Sequence, residues 1–263
     1  MKAFARRVVL ITGAGGGLGR EFSRQLLAAG AELILSSHNP HRLRTAAEFA
    51  AQHQLQPGAG RIRALLPADL SDADDCDRLA QQVKQIAPDL ELIIHNAGIG
   101  LYGPLDAIPI DAAERLLRIN LYAPIRLTAA LLPTLRTKPR SQIVFISSIL
   151  GRAALPNISI YCAAKFGLRG FANGLAADGY CVSTVYPFFT QTDILDAPQY
   201  GVSSKRRVPT WLLDQPAPVV QASLNGIAAR QRDIYPSWKA RLYGVTAEIA
   251  PGILPPFSRL VAG

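Results

Sequence analysis

The chain is poor in sulfur, with three cysteines and one methionine in 263 residues. Cys76, Cys162 and Cys181 are odd in number and lack metal-ligand spacing, so they suggest neither a disulfide framework nor a zinc site, and no metal is expected. That usage fits a reducing, cytoplasmic setting. Long apolar runs are also missing: nothing reaches the roughly 18 uninterrupted residues that a transmembrane segment requires. The opening MKAFARRVVLITGAGGG begins with charge and turns apolar, but it passes at once into glycines, so it reads as a first strand and not a signal peptide. Acidic residues are outnumbered, 19 against 28 Lys and Arg, for a formal net charge of +9. Apart from Lys205, Arg206 and Arg207 the cations are scattered. No nucleic-acid-reading motif accompanies them, so nucleic acid is not the expected partner.

What is present is a chain 49% hydrophobic and 18% charged, long enough to bury a large core as one domain over residues 1–263. Short β-branched runs at 8–12, 32–36, 61–66, 90–95, 142–147 and 181–186 read as strands, several apolar on both faces. Helical periodicity fills 18–29, 41–53, 72–87, 110–136 with a bend at Pro124, 160–176 and 217–231. Such alternation specifies right-handed βαβ units: an α/β, doubly wound parallel sheet of Rossmann-like type with helices on both faces. Ligands of such sheets bind beyond the carboxyl ends of the strands. The tail from 233, mixing apolar and basic residues between prolines, reads as a segment packing over the sheet, with peripheral membrane contact as the alternative.

TGAGGGLG (12–19) follows the first strand and opens a helix. Gly13, Gly15, Gly16, Gly17 and Gly19 let the backbone turn tightly and approach a pyrophosphate, whose charge the free N–H groups of the helix start favour. The G-x-G-x-x-G fingerprint is broken by Leu18 where its third glycine belongs. With Thr12, Gly13, Gly17 and Gly19 in the marked positions, the turn resembles the T-G-x-x-x-G-x-G of short-chain dehydrogenases/reductases. HNAG (95–98), with Asn96, Ala97 and Gly98, resembles that family's N-N-A-G, and RINLYAP supplies Asn120. IVFISS ends in Ser148, and Tyr161 lies thirteen residues on, a spacing that recurs in the family. Chain length favours its shorter branch.

Two tyrosine–lysine pairs share a four-residue spacing, YCAAK at 161–165 and YPSWK at 235–239. Tyr161 begins a helix after a strand-end serine, so Lys165 falls one turn along the same face. Tyr235 precedes a proline and has Ala222 thirteen residues before it, so the second copy is assigned to packing or surface. A tyrosine hydroxyl supplies the proton that accompanies hydride transfer to a carbonyl. Its phenolate is about one part in a thousand at neutral pH, a deficit of roughly 4 kcal/mol, which a nearby ammonium reduces. The resemblance implies that Lys165 also binds the nicotinamide ribose, that Ser148 donates to the substrate oxygen, and that Asn120 holds a water linking Lys165 to solvent. It implies a nicotinamide-dependent oxidoreductase of a small-molecule carbonyl or alcohol, working as a homodimer or homotetramer.

An NAD enzyme usually presents a carboxylate after strand two for the ribose 2′-OH. Here that strand ends SSHNPHR, with Ser37 and His38 where NADP-using relatives often carry a hydroxyl and an arginine, and no Asp or Glu lies between 33 and 47. NADP is therefore preferred over NAD. Asp69, in PADLSD beside Leu70, resembles the residue that touches the adenine ring, with capping of the next helix as the bland alternative. After strand six, Pro187 and Thr192 keep the spacing of the nicotinamide carboxamide site, yet Phe188 replaces the family's glycine and so puts that loop's path in question. Phe188 through about Pro218, with Phe189, Tyr200 and Trp211, reads as a substrate lid whose aromatics either line an apolar pocket or form the lid's own packing. The competing function, drawn from Phe188 and the short ADGY connection, is a dinucleotide-binding regulator or scaffold without chemistry.

Overall fold

The computed structural model describes residues 2–52, 60–201 and 208–249. The basic run Lys205–Arg207, part of the expected lid and the last fourteen residues of the C-terminal tail lie outside those residues. Seven parallel strands form one sheet in the order β3-β2-β1-β4-β5-β6-β7. They are β1 Val8–Thr12, β2 Glu32–Ser37, β3 Arg61–Pro67, β4 Leu92–His95, β5 Gln142–Ile146, β6 Val182–Val185 and β7 Asp233–Ile234. The helices are α1 Gly17–Ala28, α2 Pro40–Ala51, α3 Ala73–Ile86, α4 Ile110–Leu117, α5 Ala123–Arg136, α6 Ser159–Ala177, α7 Pro216–Ala228 and α8 Trp238–Ile249. None of the described helices is long and apolar enough to cross a membrane.

Side chains alternate across each strand, so one run of apolar residues feeds two cores. In β1, Val8 and Leu10 join the layer under α3, α5 and α6, while Val9 and Ile11 join the layer under α1, α2 and α7. Full burial of each such side chain contributes roughly 1.5–3 kcal/mol. The chain winds outward in both directions from β1 and β4, which pair from Val9↔Leu92 to Ile11↔Ile94. Their carboxyl ends therefore flank the crevice where strand order reverses.

Two elements escaped the sequence pattern. Strand β7 is two residues long, and α8 buries small or aromatic residues, Ala240, Tyr243 and Gly244, while exposing Trp238, Leu242 and Ile249. The tail was expected to pack over the sheet. Its described part adds β7 to the sheet's edge and sets α8 against a third apolar cluster beside the crevice. The bend expected at Pro124 takes the form of a π-helical turn, Arg118–Tyr122, between α4 and α5. Proline has no N–H for the Asn120 carbonyl, and the Ala123 N–H instead reaches back five residues to the Arg118 carbonyl. The brief connection after α6 is closed by Gly179 at φ +89°, with the Tyr180 N–H bonded to the Leu175 carbonyl.

Candidate active site

Beyond β1 the backbone turns on Gly13 at φ +65°. A side chain there would press on the Ala97 backbone, and one at Gly19 would run into the Gly13 carbonyl oxygen, so this turn exists only without side chains. Helix α1 starts with no side chain capping it, which leaves first-turn N–H groups for an anion. Thr12 Oγ1 accepts from the Asn96 and Ala97 N–H groups, both at 3.2 Å, and Asn96 Nδ2 donates to the carbonyls of Thr12 and Gly13. The β1 and β4 loops are thereby tied into one rigid floor.

A cleft of about 560 Å³ opens above that floor. Gly13, Gly15, Gly16, Gly17, Leu18, Ser37, His38, Asp69, Leu70 and Asn96 to Gly98 line one reach of it; Ser148, Tyr161, Lys165, Pro187 and Thr192 line the other. Thr12, Gly19 and Asn120 stand behind the wall, where they shape residues that face in.

Asn120 is fully buried on the π-helical turn, and its amide forms a closed pair with Ile99: Oδ1 accepts from the N–H at 2.8 Å and Nδ2 donates to the carbonyl at 2.9 Å. The extra residue of the turn delivers this side chain between the β4 loop and α6. Ser148 precedes the short helical turn Ile149–Gly151, whose Leu150 N–H it accepts at 3.1 Å, and its hydroxyl lines the cleft with Tyr161. The Ile149 N–H donates to the Pro187 carbonyl, joining the loops after β5 and β6.

Tyr161 and Lys165 share a face of α6, with the ammonium 5.6 Å from the Tyr161 ring centroid. Lys165 Nζ donates to the Ile146 carbonyl at 2.9 Å. Burial pushes its ammonium down from 10.5 to about 8. Burial also dominates at Tyr161 and pushes the phenol up; Tyr102 adds to that, and the Ser148 hydroxyl opposes it. The tuning expected from Lys165 is thus not the leading influence here, because desolvation penalises phenolate and ammonium alike. Charge on one member is best accommodated with charge on the other.

Several expectations resolve at this level. Asp69 does not cap α3; Asp72 does, accepting from the Asp74 and Asp75 N–H groups. Burial pushes the Asp69 carboxyl up, but Ser71 and Arg115, whose Nη2 lies at 3.1 Å, outweigh it and hold the group below the usual carboxylate range. Phe188 takes ordinary backbone angles: the described non-glycine residues at positive φ are Arg6, Asn157 and Arg230. The path of the loop is therefore compatible with a side chain, and Phe188 packs edge-on to Phe189 and Tyr243. Phe188 and Phe189 line the cleft, Tyr200 packs in the adjoining apolar cluster, and Trp211 is exposed. The second motif copy is structural, as assigned. Tyr235 stacks on Tyr186 at 5.3 Å, and Lys239 donates to Asp214 and to the carbonyls of Trp211 and Leu212.

Sequence reasoning missed Arg42, Arg115 and Tyr102, which all line the cleft. It also missed Arg152, whose buried guanidinium holds the loop after Ser148 by pairing with Asp233 at 2.7 Å and with Glu248, under the ring of Tyr186. Arg42 had a legible signal, a cation in the first turn of the helix after strand two; the others carry no local motif. Among the described residues no cluster of three or more His, Cys, Asp or Glu could hold a metal ion.

A family model described as short chain dehydrogenase matches residues 7–199. Dehydrogenase/reductase SDR family member 7B of Bos taurus is 30% identical over 276 residues, covering 100% of this chain and 82% of that protein. Epidermal retinol dehydrogenase 2 of Mus musculus is 31% identical over 241 residues, covering 89% of this chain and 75% of that one. Among solved structures, a short-chain dehydrogenase from Sphingobium yanoikuyae in complex with NADPH is similar with a TM-score of 0.76 at 26% identity, over 94% of this chain and 95% of that one. A short-chain dehydrogenase/reductase from Burkholderia phymatum in complex with NAD shares the fold, with a TM-score of 0.80 at 22% identity over 97% and 96% of the two chains.

Proposed function

The chain belongs to the short-chain dehydrogenase/reductase family, and from that premise we propose that it is an NADP-preferring oxidoreductase of an apolar carbonyl compound or secondary alcohol, with Tyr161 as its general acid and base. The observation that carries this reading is the meeting of Ser148, Tyr161 and Lys165 in one cleft with the glycine turn, backed by Asn120.

The residues present fit a nicotinamide dinucleotide: the turn closes tightly because Gly13 and Gly19 carry no side chain, Gly15, Gly16 and Gly17 bring bare backbone to the cleft, and the α1 start has N–H groups to spare for a pyrophosphate. When bound, the reduced cofactor supplies a hydride and the oxidised one accepts it. The chain handles the proton. In the reducing direction Tyr161 gives its hydroxyl proton to the substrate oxygen, and in the oxidising direction the phenolate takes it back, an effect of typically 10²–10⁴-fold. Lys165 stabilises the phenolate left behind, and Ser148 donates to the oxygen where charge gathers.

Ser37, His38 and Arg42 line the end of the cleft beside α2, which supports a 2′-phosphate there. Ile99, Ile149, Leu150, Phe188 and Phe189 surround the end near Tyr161 and support an apolar substrate, in accord with the mouse relative named for retinol. The described stretch from Phe188 to Gly201 is the proposed cover over it. The test is turnover of a panel of apolar ketones, aldehydes and secondary alcohols with each cofactor. Greater kcat/KM with NADPH than NADH supports the reading; equal values would remove the NADP preference, and cofactor binding without turnover across the panel would favour a regulator.

A further inference from the structure

Arg42, in the first turn of α2, and Asp193, just after Thr192 in the segment following β6, form an ion pair across the cleft, Nη1 to Oδ2, at 2.8 Å. Both side chains line it. Arg42 rises from the corner where the glycine turn, the end of β2 and α2 meet: a Cβ on Gly15 would lie 2.9 Å from Ser37 Oγ and 3.1 Å from Arg42 Cβ. Its guanidinium therefore leaves the ribose end of the cleft and reaches to the opposite wall. Asp69, another carboxylate on the cleft, is already engaged by Arg115 and Ser71, so the charge facing Arg42 is that of Asp193.

We propose that Asp193 is a specificity-determining residue for the cofactor: it occupies the guanidinium that a 2′-phosphate would take, so a phosphorylated ribose must displace it while an unphosphorylated ribose leaves the pair intact. The inference rests on the cofactor reading in one respect, that the phosphate comes to Arg42. Displacement is within reach, because the pair is exposed over 55% and 62% of its side chains and such pairs are weak. A phosphate offers the guanidinium a fork of oxygens and more charge. Once displaced, the carboxylate remains beside the phosphate and repels it. Wild-type discrimination is therefore smaller than Arg42 alone would give, and binding of the phosphate frees the start of the segment that carries Thr192.

The test uses 2′,5′-ADP and ADP as probes, titrated calorimetrically into the intact protein and its variants at low and high salt. Asp193→Asn is expected to tighten 2′,5′-ADP by about threefold to fivefold and leave ADP unchanged, a gain that fades at high salt. Asp193→Glu keeps the charge and should match wild type, whereas Arg42→Ala should lose the preference for the phosphorylated probe. If wild type prefers 2′,5′-ADP and Arg42→Ala abolishes that, but Asp193→Asn changes nothing or tightens both probes equally, the proposal falls and the cofactor reading stands. If neither wild type nor Asp193→Asn distinguishes the probes, the cofactor reading falls and takes the proposal with it.

Discussion

Lys165→Met removes a charge that the fold holds at a cost. The residue is 3% exposed, and burial lowers its ammonium from the usual 10.5 to about 8. At about 1.4 kcal/mol per pH unit, that difference corresponds to about 3 kcal/mol against the charged form in the folded state. Methionine has a similar length and no charge, but it leaves the Ile146 carbonyl without its donor, a loss of about 1 kcal/mol. The net expectation is stabilisation by about 2 kcal/mol at pH 7, or about 5 °C in Tm for a chain of this size. Below pH 8 both folded and unfolded states carry the proton and the penalty is complete. Between 8 and 10.5 the unfolded chain still binds a proton that the folded one has released, so wild-type stability rises with pH relative to the variant and the gap closes. Urea denaturation of both proteins at pH 7 and pH 10 reads this directly. A variant no more stable than wild type at pH 7, or a gap of the same size at pH 10, refutes the reasoning. The same substitution should abolish turnover, the expected trade between stability and function at a strained site.

Three further outcomes follow from the same geometry. Gly19→Ala places a methyl on the Gly13 carbonyl, so the turn must open; we expect destabilisation by about 1–3 kcal/mol and at least tenfold weaker NADPH binding by fluorescence titration. Tyr235→Phe, in the second motif copy, should leave kcat unchanged, because Tyr235 stacks on Tyr186 outside the cleft; a hundredfold loss of kcat would overturn its structural assignment. With Lys165 near 8, carbonyl reduction should fall as pH rises above about 8 and the ammonium is lost, and a rate flat to pH 10 would contradict its electrostatic role.

Much of this was legible in the sequence because the sheet is buried on both faces. Runs such as VVLIT and QIVFI can be little else when they alternate with amphipathic helices; the positions of Gly13, Asn96 and Ser148 follow from which strand ends they occupy, and that of Tyr161 from the start of the helix after β5. Strand β7 was invisible because two residues, Asp233 and Ile234, are too few to carry an alternation. Helix α8 was hidden for the opposite reason: its largest apolar side chains face outward and its buried face is small, so hydropathy points the wrong way. The proline at 124 marks the break between α4 and α5, but the sequence did not show that the break would take the form of the π-helical turn that places Asn120. Arg42 sits where a cation in the first turn of α2 could have been noticed, but its pairing with Asp193, like that of Arg152 with Asp233 and Glu248, crosses the fold and leaves no local spacing to read.

The central claim is that a buried phenol at the mouth of the glycine turn moves the proton. It is tested most directly by Tyr161→Phe, measured for NADPH binding by fluorescence and for NADPH oxidation at saturating ketone. The account predicts binding within about twofold of wild type and a rate lower by 10²–10⁴-fold. A variant that binds NADPH normally and still turns over at the wild-type rate would contradict it.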